Sequence, residues 1–152
     1  MLSVLDLFRI GIGPSSSHTV GPIRIGARFL AELGHGGVLA KTERIEAELQ
    51  GSLALTGVGH GTPKAVMLGL LGLDPETLDP EDADERVESL EQAKTLKLPD
   101  GRNIGFDPAA DIRFAYHVIP KLHPNGIRLR AFDASGAVLA DSTWYSTGGG
   151  FI

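Results

Sequence analysis

The sequence predicts a single α+β domain, in which a mostly antiparallel sheet carries two main helices packed on it. Three observations predict this class. The length of 152 residues suits one domain. Apolar residues recur at helical spacing in the first half of the chain, and short alternating segments separated by turn residues fill the second half.

The first helix is predicted over residues 22–33, with Gly34 as the signal that ends it. Pro22 suits the first helical position, where a backbone N–H would have no partner within the helix. The apolar side chains that we expect to be buried recur on one face: Ile23, Ala27, Leu30 and Ala31.

A strand and a second helix are predicted next. Apolar and polar residues alternate over 44–55, which is typical of a half-buried strand with Glu46, Glu48 and Gln50 on its polar face. The second helix covers 63–71, with Thr62 as its N-cap. Its body is apolar, so we expect this helix to be buried.

Acidic residues are concentrated in one segment, 74–91, which contains nine of the 19 and only one basic residue, Arg86. We interpret it as a solvated insertion with a short exposed helix rather than as a docking surface. The whole chain has a net charge of −5. It shows no basic stripe with interleaved aromatic residues, so we expect no nucleic-acid partner.

Strands and turns are predicted in the second half of the chain. The turn sequences Pro-Asp-Gly at 99–101 and Asp-Ala-Ser-Gly at 133–136 separate alternating segments, and the second turn predicts a hairpin. The predicted strands are 95–98, 103–106, 112–119, 127–133 and 137–146.

Cysteine is absent from the sequence. This excludes a disulfide scaffold, a thiolate zinc site and an iron–sulfur cluster ligated by this segment alone. No apolar run reaches the ~18 residues that span a bilayer, and the N-terminus lacks the pattern of a signal peptide. We therefore expect a cytoplasmic protein with no membrane partner.

The densest group of polar side chains lies in the glycine-punctuated loop before the first helix: Ser15, Ser16, Ser17, His18 and Thr19. Backbone N–H groups at a helix N-terminus, together with the helix dipole, favour an anion. The loop therefore predicts a site for a carboxylate or a phosphate. The structural alternative is a serine-rich loop that only caps the helix.

Residues 57–64 repeat this arrangement before the second helix, with His60 three residues ahead of Pro63. The two loops could meet on one anionic ligand, and either histidine could act as a general acid or base. Two unrelated helix caps are the alternative. The residue types also permit a zinc site formed by His18, His60 and a carboxylate, although the sequence contains no His-Glu-x-x-His motif to support it.

A third and weaker element is the pair Tyr145 and Ser146 at the end of the last predicted strand. Glycines follow at 148–150, and their backbone can approach a neighbour closely. The glycine run also suggests a domain over 1–147 and the start of a linker over 148–152. The remaining histidines are expected to have ordinary surface or core roles: His35, His117 and His123.

Three segments carry a resemblance to a known family: 11–22 with its Pro-Ser-Ser-Ser-His-Thr core, 51–60 (GSLALTGVGH) and 145–152 (YSTGGGFI). With the opening SVLDLF at 3–8, they resemble the N-terminal, or beta, domain of bacterial iron–sulfur L-serine dehydratase (L-serine ammonia-lyase). The resemblance spans essentially the whole chain. Ile23 and Ile25 stand where the family pattern leads us to expect Met and Ala.

The resemblance implies an enzyme that deaminates L-serine to pyruvate and ammonia. It implies a 4Fe-4S cluster held by cysteines of a C-terminal domain, none bound by this chain, and a homo-oligomer. His18 and His60 would be catalytic, and this chain alone would be inactive. The substrate-binding residues would be Ser15, Ser16, Ser17, Thr19, Tyr145 and Ser146.

The family's beta domain is also similar to an allosteric serine-binding-type domain of some phosphoglycerate dehydrogenases. This similarity leaves a second hypothesis, a regulatory serine-binding or dimerisation module without catalytic residues. The two histidines favour catalysis, because an anion sensor needs hydrogen-bond donors but not two groups that titrate near pH 7. A phosphate-binding domain of unrelated function is the third hypothesis.

Overall fold

The computed structural model describes residues 20–51, 62–115 and 125–145. In chain order the helices are α1 (Val20–His35), α2 (Thr62–Leu70), α3 (Pro80–Ala93) and the short α4 (Pro108–Asp111), with a 3-10 turn at Leu39–Lys41. The strands are β1 (Arg44–Gly51), β2 (Thr95–Lys97), β3 (Asn103–Gly105), β4 (Ile112–Ala115), β5 (Asn125–Phe132) and β6 (Val138–Tyr145).

A four-stranded sheet with the order β4-β1-β5-β6 forms the centre of the fold, and β2 and β3 make a separate antiparallel pair. β1 pairs in parallel with β4 and antiparallel with β5, which pairs antiparallel with β6. The predicted α+β class with a mostly antiparallel sheet is confirmed. The parallel pairing is possible because the chain between β1 and β4 crosses over through helices.

One face of the sheet packs against the helices and supplies much of the core. Along β1 and β5 the apolar core side chains recur at every second position, as the two-residue period of a strand requires: Ile45, Ala47, Leu49, Ile127, Leu129 and Ala131. Helix α2 is buried over most of its surface, as its apolar sequence predicts.

Helix α1 is longer than the predicted 22–33. It begins two residues before Pro22 and continues through Gly34, which therefore does not end it. Pro22 is still tolerated, because the N–H groups of the first turn have no partner within the helix. The chain leaves the helix at Gly37, whose φ of 74° lies in the left-handed region that favours glycine.

The buried face of α1 also differs from the predicted one. Ile23 and Leu30 are buried as expected, whereas Ala27 is half-buried and Ala31 is exposed. The helix packs against both the sheet and α2, so it buries a wider face than a single apolar stripe would suggest. Gly26 and Phe29 belong to that face.

Two further boundaries differ from the prediction. Helix α2 begins at Thr62, so this buried residue is the first of the helix rather than its N-cap. Strand β1 ends at Gly51, and the predicted continuation over 52–55 lies outside the described residues, as does 116–119 after β4.

Helix α3 corrects the interpretation of the acidic segment as a solvated insertion with a short exposed helix. It has 14 residues, and Ala83, Val87 and Leu90 enter the core. Its acidic side chains lie on the solvent side. The segment therefore forms a third main helix, with apolar residues at i, i+4 and i+7. The many charged residues between them made this spacing hard to recognise in the sequence.

The turn predicted at 133–136 is confirmed. The Asp133 carboxylate accepts hydrogen bonds from the Ser135 hydroxyl at 2.6 Å and from the backbone N–H groups of Ser135 and Ala137 at 2.9 Å. These hydrogen bonds lower the pKa of the Asp133 carboxyl below its usual value.

Candidate functional site

Four strand ends meet at one end of the sheet. β1 ends at Gly51, directly opposite Asn125, where β5 begins. β6 ends at Tyr145 and β4 ends at Ala115. Each of these residues pairs with a direct chain neighbour of Gly51 or Asn125. The chain segments that join the described structure at this end are 52–61, 116–124 and 146–152.

Helices α1 and α2 cross at two glycines. A Cβ atom on Gly26 would lie 2.8–2.9 Å from backbone atoms of Gly69 and Leu70, and one on Gly69 would collide with the Ile23 carbonyl oxygen. The crossing lies six to seven residues into each helix, which is roughly 10 Å at 1.5 Å per residue. Both helix N-termini therefore lie within about 10 Å of one contact point.

The N-terminus of α1 is directed toward the same end of the sheet. The helix leads into β1 through residues 36–43, so its C-terminus lies near the start of β1. The helix packs against the sheet and is roughly 24 Å long, close to the length of the eight-residue strand. Its N-terminus therefore lies toward the end where β1 terminates.

The first turns of α1 and α2 can attract an anion. Neither contains an acidic residue, so no carboxylate of the same turn offsets the partial positive charge of the helix N-terminus. Backbone N–H groups at a helix N-terminus can bind carboxylate or phosphate. The arrangement therefore suits a small anionic substrate held between the two helix starts and the sheet end.

Most of the predicted site residues lie outside the described residues: His18, His60, Ser15, Ser16, Ser17, Thr19 and Ser146. Their neighbours are described, since α1 begins directly after Thr19 and α2 begins two residues after His60. Tyr145 is half-buried at the end of β6. His35 is exposed, as expected, and His117 and His123 fall outside the described ranges.

A network of arginines and carboxylates covers the sheet face opposite the helices. The Glu46 side chain is only 8% exposed, and its carboxylate lies 2.9 Å from Arg44 Nη2, 3.4 Å from Arg130 Nη2 and 3.7 Å from Arg113 Nη1. Glu46 and Gln50 are both buried, although the alternation predicted a strand with an open polar face. The long arginine side chains cover Glu46, and the Gln50 amide donates a hydrogen bond to the Glu48 carboxylate at 2.8 Å.

The network continues to Arg128 and Asp141, whose side chains form two hydrogen bonds of 2.8 and 2.6 Å. This pairing raises the pKa of Arg128 and lowers that of Asp141. The signal in the sequence is a pair of basic residues two positions apart in β5, Arg128 and Arg130, which lie opposite Glu48 and Glu46 of β1. Because the carboxylates of this network are paired within the sheet, we assign it to stability.

Replacing Glu46 with Ala should lower the free energy of unfolding by about 1–3 kcal/mol, less than for a fully buried pair because the arginines reach solvent. Three guanidinium groups would lose their shared carboxylate. Urea unfolding measures the change. Glu91→Ala, on the exposed side of α3, is the control and should stay within about 0.5 kcal/mol. Equal losses in both variants would contradict a structural role for the network.

Among the residues that the structure describes, no three His, Asp or Glu side chains come together as metal ligands. The zinc site that the residue types permit depends on His18 and His60, which lie outside the described residues.

None of the described helices combines the length and apolar character needed to cross a bilayer.

Comparison with known proteins finds a matching family. The model of the serine dehydratase beta chain matches residues 3–152. L-serine dehydratase of Streptomyces coelicolor is 46% identical over 151 residues, which cover 99% of this chain and 33% of the relative. L-serine dehydratase of Helicobacter pylori is 43% identical, over 99% of this chain and 32% of the relative. L-serine dehydratase 1 of Escherichia coli is 40% identical, over 100% and 33%. The chain thus spans about one third of the length of these relatives.

Proposed function

This chain belongs to the serine dehydratase beta chain family, and we propose that it is the beta domain of an enzyme that deaminates L-serine to pyruvate and ammonia. The family match over residues 3–152 carries the proposal. The described flanks support a shared site, because the segments that contain His60 and Ser146 join the same end of the sheet.

The substrate carboxylate is proposed to bind between the N-termini of α1 and α2. The absence of acidic residues from both first turns supports this location. The side chains proposed to donate hydrogen bonds to the carboxylate or hydroxyl of L-serine are Ser15, Ser16, Ser17, Thr19, Tyr145 and Ser146.

His18 and His60 are proposed to handle protons and charge. Deamination removes the Cα proton and releases the β-hydroxyl group as water, which gives aminoacrylate; this hydrolyses to pyruvate and ammonia. A neutral imidazole can accept the Cα proton, and an imidazolium can stabilise the charge that develops. We propose that one of the two histidines accepts the Cα proton and that the other stabilises the developing charge.

The iron–sulfur cluster expected for the family does not fit this chain, which contains no cysteine to supply thiolate ligands. We propose that a C-terminal domain of the same polypeptide holds a 4Fe-4S cluster, and the greater length of the relatives leaves room for such a domain. A bound cluster would supply a Lewis acid. The boundary at 147 and the linker over 148–152 stay predictions.

The 152-residue chain by itself is expected to form no pyruvate from L-serine, because the proposed reaction needs a cluster that the chain cannot ligate. The test measures pyruvate formation by the purified chain, with its metal content determined, beside the natural protein that contains it. Turnover by the chain alone would overturn the assignment of the cluster to another domain and would favour a histidine-based metal site.

A further inference from the structure

One row of side chains crosses all four strands on the helix-facing side of the sheet, close to the end at which the candidate site lies. Its members pair in turn across the strands: Phe114, Leu49, Ile127 and Trp144. Directly opposed residues share a face, and Leu49 and Ile127 belong to the core beneath the helices. The row lies within about 7 Å of the sheet end, since Leu49 stands two residues before the end of β1.

This row is fully buried in the middle and half-buried at its β6 edge. Leu49 and Ile127 are inaccessible to solvent, whereas Trp144 packs against the core but is only half-buried. The next helix-facing position of β1 after Leu49 is Gly51, which has no side chain. β1 therefore places no side chain between the row and the sheet end.

The indole ring of Trp144 is held by a hydrogen bond within β6. Its Nε1–H group donates to the Ser142 hydroxyl at 2.8 Å, and Ser142 lies two residues earlier on the same face of the strand. The one polar atom of the indole is thus satisfied, and the rest of the ring is apolar. A tryptophan held in this way offers a substrate an oriented apolar surface.

L-Serine has one part that suits such a surface. Its carboxylate, ammonium and hydroxyl groups need polar partners, whereas the Cα and Cβ atoms form its apolar part and favour an apolar neighbour. Trp144 is the last helix-facing residue of β6. Ser146, which is proposed to bind the substrate, follows it by two residues.

We propose that Trp144 determines the substrate specificity of the candidate site: its ring packs against the Cβ atom of L-serine and limits the size of the group on that atom. The inference rests on the proposed deamination of L-serine. L-Threonine carries the same reacting groups and one additional methyl group on Cβ, which would meet the indole ring. A pocket without room for one such group discriminates by about 10- to 200-fold.

Replacing Trp144 with Leu in the natural protein that contains this chain should remove that limit. We expect the ratio of kcat/KM for L-threonine to kcat/KM for L-serine to rise roughly 10-fold or more, measured as 2-oxobutanoate and pyruvate formed. A loss of folded or cluster-loaded protein does not alter this ratio, because both substrates meet the same active fraction. Val138→Ala, at the other end of β6 and about 20 Å away, is the control and should leave the ratio unchanged.

Ser142→Ala tests the same surface without changing the ring. Loss of the hydrogen bond to the indole should let the ring move, and the ratio should rise roughly 2- to 10-fold, as for one neutral hydrogen bond. An unchanged ratio in Trp144→Leu, with L-serine still converted to pyruvate, would overturn this proposal and leave the proposed function standing. If Trp144→Leu does not fold, an unchanged ratio in Ser142→Ala would overturn it.

Fluorescence separates this proposal from the proposed function. Trp144 is the one tryptophan of this chain, so the difference between the spectra of the unmodified protein and Trp144→Phe gives its emission. We expect excess L-serine to shift this emission to shorter wavelength, because the substrate displaces water from the ring. A shift without any pyruvate formed would support the position of Trp144 and contradict the deamination. The absence of a shift, with or without pyruvate, would overturn the proposal.

Discussion

Replacing His60 with Ala in the natural protein that contains this chain is expected to lower kcat for L-serine by ~10²- to 10⁴-fold, the usual contribution of a general acid or base. His18→Ala should lower kcat by a similar factor, because the two histidines are proposed to share the handling of the Cα proton and the developing charge. Steady-state kinetics measures both effects. The iron content of each variant must be determined, since lost iron would imitate lost catalysis.

Two further variants make the comparison specific. Ser16→Ala should act mainly on KM, because a hydroxyl that binds the carboxylate does so in the ground state and the transition state alike. His123→Ala should leave both constants unchanged. Near-normal kcat in both His18→Ala and His60→Ala, with only the serine dependence or cooperativity altered, would contradict catalysis and favour a regulatory module.

Replacing Gly69 with Ala should lower the free energy of unfolding by about 3 kcal/mol, the upper part of the range for an overpacked core. The new Cβ would collide with the Ile23 carbonyl oxygen and lie 3.0 Å from the Ile23 Cα atom and the Pro22 carbonyl oxygen. These are backbone atoms of α1, so the helices themselves must separate. Because both helix N-termini are proposed to bind the substrate, KM for L-serine should rise as well.

Gly34→Ala is the matched control for this change. Gly34 also lies in α1, but a Cβ there would meet no atom within 4 Å. Alanine is favoured over glycine within a helix by roughly 1 kcal/mol, so this variant should be neutral or slightly more stable. Urea unfolding of both variants provides the test, and equal stability of Gly69→Ala and the unmodified protein would contradict the close helix crossing.

Local patterns in the sequence predicted the class of the fold and most of its elements. Helix α2 was recognisable because it is apolar over most of its surface, and the β5–β6 hairpin because Asp133 and Gly136 have the side chain and the backbone freedom that its turn requires. The resemblance to the beta domain of L-serine dehydratase is confirmed by the family match.

Features that depend on contacts between distant segments were not predictable in the same way. Ala31 fell on the predicted stripe of α1 but is exposed, because α2 and the sheet together decide which face is buried. Glu46 is buried because arginines from β1, β4 and β5 surround it, and single-strand alternation does not reveal such neighbours. In α3 three core residues recur at helical spacing, but the many charged residues around them made this pattern hard to recognise in the sequence.

The central claim is that this chain is part of an L-serine-deaminating enzyme. The most direct test is to purify the natural protein that contains it, load it with the proposed 4Fe-4S cluster, incubate it with L-serine and quantify pyruvate and ammonia. The account predicts that both products appear in equal amounts. A folded, cluster-loaded protein that releases no pyruvate from L-serine would contradict it.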